Sequence, residues 1–173
     1  MTQAEPASPA LAAAITARFA DIAATRMAGI PVVNPALGVA LQGWQRTGDM
    51  LAGVLVTPWF MNFIAFAAGD APQPANRVGD KTMLALPAGA FEAIRAHDEV
   101  LGGYWTVSLF SPMFEFADME TACATADAAL AEMLTAPEPV APPPPSLPPQ
   151  VKRPVSRRDL FRLGDAAPAG AAR

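Results

Sequence analysis

One histidine, His97, and one cysteine, Cys123, are the chain's whole supply of those two residue types, which limits its chemistry at once. A single cysteine excludes an intramolecular disulfide and any CxxC zinc or iron–sulfur site. Cys123 lies in Thr121-Ala122-Cys123-Ala124, without the neighbouring positive charge that activates a thiolate, and reads as a small hydrophobe. His97 stands in Arg95-Ala96-His97-Asp98-Glu99, which reads as a charged turn, and no serine or cysteine has the context of a nucleophile elbow. The acidic pairs Asp98-Glu99 and Asp118/Glu120 read as turn charges or helix caps, since nothing near them would split their ionisation into an acid and a base. Gly102-Gly103 and Leu163-Gly164 match no phosphate-binding pattern. The expectation is a protein that is not an enzyme, with no catalytic residue, no metal site and no cofactor.

Binding chemistry is better supplied. Thr57-Pro58-Trp59-Phe60-Met61-Asn62-Phe63 and Ser108-Leu109-Phe110-Ser111-Pro112-Met113-Phe114-Glu115-Phe116 crowd large apolar side chains around prolines. Aromatic rings with methionine make adaptable apolar surfaces, although the same side chains serve equally well as core. The candidate partner-binding residues are Pro58, Trp59, Phe60, Met61, Phe63, Phe110, Met113 and Phe114. Glu115, Asp118 and Glu120 follow the second motif and are candidates to orient arginines of a partner. For Asp118 and Glu120, capping and first-turn placement on a helix compete with that role.

Near the C-terminus, Ser156-Arg157-Arg158-Asp159-Leu160-Phe161-Arg162 matches the twin-arginine export consensus of Ser-Arg-Arg, one free position, two apolar residues and a basic one. Arg157 and Arg158 supply guanidinium forks, Leu160 and Phe161 an apolar anchor, and Arg162 a further charge. Export is not expected, because Leu163-Gly164-Asp165-Ala166-Ala167-Pro168 follows in place of an apolar run. Two readings stay open. The segment is a chance basic cluster, or it is a tethered competitor that occupies the binding groove until a genuine signal peptide displaces it.

These residues need elements to hold them. Ser8-Pro9 predicts a helix start, and Leu11, Ile15, Phe19 and Ile22 recur at helical spacing up to Met27-Ala28-Gly29. Residues 30–35 are extended around Pro31 and Pro35. Strands are predicted over 37–45, 51–57, 60–66, 81–86, 91–96 and 104–110, with a turn at Arg46-Thr47-Gly48-Asp49, a loop over 68–79 and a turn at Pro87-Ala88-Gly89. The inward face of 91–96 is ambiguous. Asp118 to Thr135 predicts a second helix, with Met119, Ala122, Ala126, Ala129, Leu130 and Met133 as its apolar stripe. Helix, mostly antiparallel strands, helix defines an α+β domain in two layers, the sheet flanked by an N-terminal and a C-terminal helix. The uncharged run Leu51–Gly69 is long enough to span a bilayer. Pro58 and Asn62 interrupt it and Asp49 and Asp70 flank it, so two buried strands are expected in place of a membrane span.

Composition sets the outer bounds. Ten of the 19 prolines lie after Ala136, which predicts a domain over 1–136, a proline-rich linker over 137–155 and a disordered tail over 156–173. A net charge of −4 argues against nucleic-acid partners, which demand a basic face. Residues 1–136 hold six basic and 13 acidic side chains, a balance of −7, whereas 137–173 carry +3. With Glu5 where a secretory signal is basic, and no cysteine framework, the expected compartment is the reducing cytoplasm.

Arg26-Met27, Gly29 through Pro35, Gly53 through Asn62, Leu86-Pro87-Ala88-Gly89 with Phe91-Glu92, and Ser108 through Met113 resemble, in order and spacing, the HybE/HupJ/HoxT family of [NiFe]-hydrogenase assembly chaperones. The resemblance covers roughly residues 14–135. It implies a cytoplasmic maturation factor without catalysis, built on a helix-flanked α+β sheet. The implied partners are the hydrogenase small-subunit precursor and its twin-arginine signal peptide, with the large subunit and other maturation factors as further candidates. Neither nucleic acid nor membrane insertion is implied. Some family members carry a C-terminal rubredoxin domain, for which this chain lacks the CxxC pairs. The alternative, an accessory that services the iron–sulfur subunit against oxygen, needs a redox group that one cysteine and one histidine cannot ligate.

Overall fold

The computed structural model describes residues 8–69 and 77–137. The elements run α1 (Pro9–Ala24), β1 (Ala40–Thr47), β2 (Met50–Val56), β3 (Met61–Ala67), β4 (Lys81–Leu86), β5 (Gly89–Asp98), β6 (Gly102–Phe110) and α2 (Met119–Leu134). Ser8 caps α1 by accepting from the Leu11 N–H at 3.3 Å, with proline in the first turn. The helix closes sooner than the sequence predicts. At Thr25 both the backbone N–H and Oγ1 donate to the Asp21 carbonyl, and 25–29 follow as turns. Asp118 caps α2 by accepting from the Thr121 N–H at 2.8 Å.

The six strands form one antiparallel sheet in the order β1-β2-β3-β6-β5-β4. Tight connections make the hairpins, while β6 returns beside β3 and carries β5 and β4 outward. In β2, Val54 and Val56 face one side and Leu55 the other; in β3, Phe63 and Ala65 oppose Ile64 and Phe66. All seven are buried. Two central strands covered on both faces read as one apolar run, which is why Leu51–Gly69 has the length and hydropathy of a membrane span. Among the described residues no helix is long and apolar enough to cross a membrane.

Ile15 and Phe19 of α1 pack on Leu55, Ile64 and Phe66. Ala122, Ala126, Leu130 and Met133 of α2 pack in the cluster that holds Val54, Val56, Phe63 and Ala65. The α+β class and the helix-flanked antiparallel sheet are those predicted. Because the helices take opposite faces, the sheet is the middle of three layers where the sequence suggested two. At Gly43 (φ +59°) a bulge shifts the β1–β2 register, and a Cβ there would run into Leu130 Cδ2. Glycine lets α2 lie close on the sheet at that point.

His97 lies on β5, not in a turn, because that strand continues to Asp98. The inward face of β5 is also settled: Phe91 and Ala93 face α2, and the Arg95 guanidinium lies 4.8 Å from the centre of the Trp105 ring. The first compact unit of the chain ends at Glu138. The proline-rich linker and the twin-arginine-like segment Ser156–Arg162 lie outside the described residues.

A partly buried ion pair ties α1 to the β5–β6 connection. Arg18 Nε donates to Asp98 at 2.9 Å, with side-chain exposures of 14% and 11%. Burial alone would raise the Asp98 carboxyl. The Val100 and Leu101 N–H groups and the Arg18 guanidinium outweigh that and hold it below its ordinary value. Its stabilising effect is therefore full above the unfolded value of about 4 and is lost as pH falls through the lower folded value. Asp98→Asn is expected to cost about 1–3 kcal/mol at neutral pH. Urea midpoints at pH 7 and pH 3 check this; a gap between wild type and variant that is just as wide at pH 3 would contradict it.

Candidate peptide-binding groove

The two proline-centred motifs meet at one end of the sheet, but Trp59 and Phe60 turn to the opposite face from Phe63, Phe110 and Phe116. Thr57 Oγ1 accepts from the Trp59 and Phe60 N–H groups and donates to the Phe60 carbonyl, closing the β2–β3 turn. Ser111 Oγ then donates to the Trp59 carbonyl at 3.4 Å. Trp59 and Phe60 pack toward α1, with the Phe60 and Phe19 ring centres 5.9 Å apart. Phe110 packs toward α2 and meets Phe116 edge-on at 5.3 Å. They do not form one continuous site.

Several candidate binding residues are core. Met61, Phe63 and Met113 are 0% exposed and Pro58 is buried, so none presents a surface to a partner. Phe114 is 57% exposed. Glu115, Asp118 and Glu120 are exposed, but the Asp118 carboxylate caps α2, and its hydrogen bonds with Thr121 hold its pKa below the ordinary value.

Asn34, which sequence reasoning passed over, organises this end of the sheet. It is buried, its N–H donates to the Pro58 carbonyl at 2.8 Å, and Nδ2 donates to the carbonyls of Met113 (2.9 Å) and Phe116 (2.8 Å). One residue thus joins the segment before β1 to the β2–β3 turn through its backbone and to the loop after β6 through its side chain.

The open apolar surface lies beside α2. A groove of about 490 Å³ is walled by Phe91, Val107, Ser108, Leu109 and Phe110 of the sheet and by Thr125, Ala128, Ala129 and Glu132 of the helix. The helix residues recur at i, i+3, i+4 and i+7, a second stripe beside the one buried on the sheet. The register shift between Met61–Phe110 and Asn62–Ser108 leaves Leu109 as an extra residue on β6. With that bulge, Leu109 and Phe110 both pack against the α2-side core.

Beneath the groove the sheet is split. Pairing of β5 with β6 runs from Asp98–Gly102 to Ile94–Thr106 and stops. Beyond it, β5 pairs with β4 back to Gly89, and β6 pairs with β3 out to Phe110. The β4–β5 tip leans instead to the end of α2, where the Ala88 N–H donates to the Met133 carbonyl at 3.1 Å. Glu132 stands in the last turn of α2, which holds no basic residue. Its charge adds to the negative end of the helix dipole, and no ion pair to it is formed among the described residues. An acid in a last turn without a base is the sequence signal that could have flagged it. Among the described residues no three His, Cys, Asp or Glu side chains gather to hold a metal ion.

A sheet-and-helix module with an apolar groove and a carboxylate at its rim has the makings of a polypeptide binder. The chain belongs to the family described as [NiFe]-hydrogenase assembly, chaperone, HybE, which it matches over residues 10–163. It is 43% identical over 116 residues to the hydrogenase expression/formation protein HupT of Azotobacter chroococcum mcd 1, covering 66% of this chain and 76% of that one. It is likewise 43% identical over 118 residues to HoxT of Azotobacter vinelandii, covering 68% and 76%. The solution structure of HybE from Escherichia coli shares the fold with a TM-score of 0.61 at 23% identity, over 78% of this chain and 86% of that one.

Proposed function

We propose that this hydrogenase assembly chaperone acts without catalysis in the cytoplasm, holding the small-subunit precursor by its twin-arginine signal peptide until cofactor insertion and assembly are complete. Such a peptide joins arginines to an apolar segment. The observation that carries the reading is the groove beside α2: apolar walls with Glu132, which has no ion pair among the described residues, at the rim. Every charged side chain of α2 and of the loop before it (Glu115, Asp118, Glu120, Asp127 and Glu132) is a carboxylate, which favours a basic ligand beside that helix. The large subunit is a further candidate partner.

Titration calorimetry of the full-length protein against the small-subunit precursor and its signal-less mature form tests this. The precursor is expected to bind at least tenfold tighter. Glu132→Lys is expected to weaken precursor binding by about tenfold, equivalent to about 1.4 kcal/mol, and to reduce its salt dependence. Equal affinity for both forms would remove the signal peptide as the handle.

A further inference from the structure

Resting on that reading, we propose that the groove takes its ligand as an extended strand, added to the free edge of β6 at Val107–Phe110. That edge is unusual because it lies inside a sheet. β6 is an interior strand, yet its partner on the β5 side is lost beyond Thr106. On the other side Val107, Ser108 and Phe110 remain paired with β3. The backbone N–H and C=O groups of 107–110 that point toward β5 therefore face the groove. Among the described residues no β5 residue stands in register opposite Val107–Phe110, and no turn or loop hydrogen bond reaches their backbone groups. The first half of β5 is in the same position, paired with β4 alone.

Backbone polar groups in an apolar setting are costly when unmade. A helical ligand would satisfy its own backbone and leave these groups as they are. A ligand in extended form pairs with them, gaining main-chain affinity that is largely independent of sequence. The rest of the groove suits such a strand. Its side chains alternate, so one set would lie against Phe91, Leu109 and Phe110. The small Ala128 and Ala129 leave room for that set on the helix side. Glu132 and the carbonyl end of α2 receive a flanking arginine. Generic pairing plus one apolar and one basic requirement suits a chaperone whose ligand is a signal peptide.

The test uses full-length protein and a fluorescein-labelled synthetic peptide, Ser-Arg-Arg-Asn-Phe-Leu-Lys-Leu-Val-Leu, with two derivatives N-methylated at alternate amides in opposite phases. Methylation removes donors and keeps every side chain. In an added strand, successive amides point to opposite sides. One phase is therefore expected to lose at least tenfold in affinity and the other less than threefold. On binding the unmodified peptide, amide exchange within Val107–Phe110 is expected to slow at least tenfold. Equal affinity for all three peptides, equal losses in both phases, or helical carbon shifts in the bound peptide would overturn strand addition and leave the signal-peptide reading standing. Failure of the unmodified peptide and of the whole precursor to bind would overturn both.

Discussion

Asn34→Ala is expected to destabilise the domain by about 3 kcal/mol and to weaken precursor binding along with it. Removing one partner of a buried hydrogen bond costs about 1–3 kcal/mol for each polar group left unmatched. In this variant the Phe116 carbonyl loses its Nδ2 donor, the Met113 carbonyl keeps only the Phe116 N–H, and the Ala36 N–H loses Oδ1. Asn34→Asp separates these effects, because a carboxylate still accepts from Ala36 but donates to neither carbonyl. Both variants are expected to shift the urea midpoint by similar amounts. The effect on binding follows from the position of Phe116, which meets Phe110 edge-on at the groove wall. An Asn34→Asp variant as stable as wild type would show that the two carbonyl contacts do not hold the loop.

The importance of Asn34 is hard to read from sequence, since an asparagine between prolines looks like a turn residue and its partners lie 79 and 82 positions away. Local signals carry further. Ser8 and Asp118 are the caps that their positions suggest, Lys81–Leu86 is a strand with the predicted bounds, and Thr57-Pro58 breaks the long apolar run into β2 and β3. The groove is only half legible. The helix period is clear in α2, but Ala129 reads as part of the buried stripe and instead lines the groove beside Ala128. The point where β5 and β6 part has no signature in residue type, because it depends on where the β4–β5 tip is tied to α2 through Ala88 and Met133. Composition shows that Trp59, Met61, Phe63 and Met113 belong in apolar surroundings, but the direction each side chain takes is set by strand parity and by the bulge at Leu109.

Substitutions should therefore divide the apolar motifs into two groups. Phe63→Ala is expected to cost about 3–5 kcal/mol and Met113→Ala about 2–5 kcal/mol, because each empties a site that is fully enclosed. Against a total stability of about 5–15 kcal/mol, either variant approaches the unfolding limit, and its loss of binding would follow its loss of fold. Ala128→Trp is the opposite case. Ala128 is exposed on α2 and lines the groove, so an indole there fills the space proposed for the ligand while the buried stripe of Ala122, Ala126, Leu130 and Met133 stays intact. Its thermal midpoint is expected to lie within about 2 °C of wild type, since surface substitutions typically change stability by no more than about 0.5 kcal/mol. Precursor affinity is expected to fall at least tenfold. Thermal unfolding and calorimetric titration, run on the three variants together, separate the groups. If Ala128→Trp binds the precursor as wild type does, the ligand does not enter between α2 and β6, and the exposed Phe114 with the neighbouring Glu115 becomes the surface to examine.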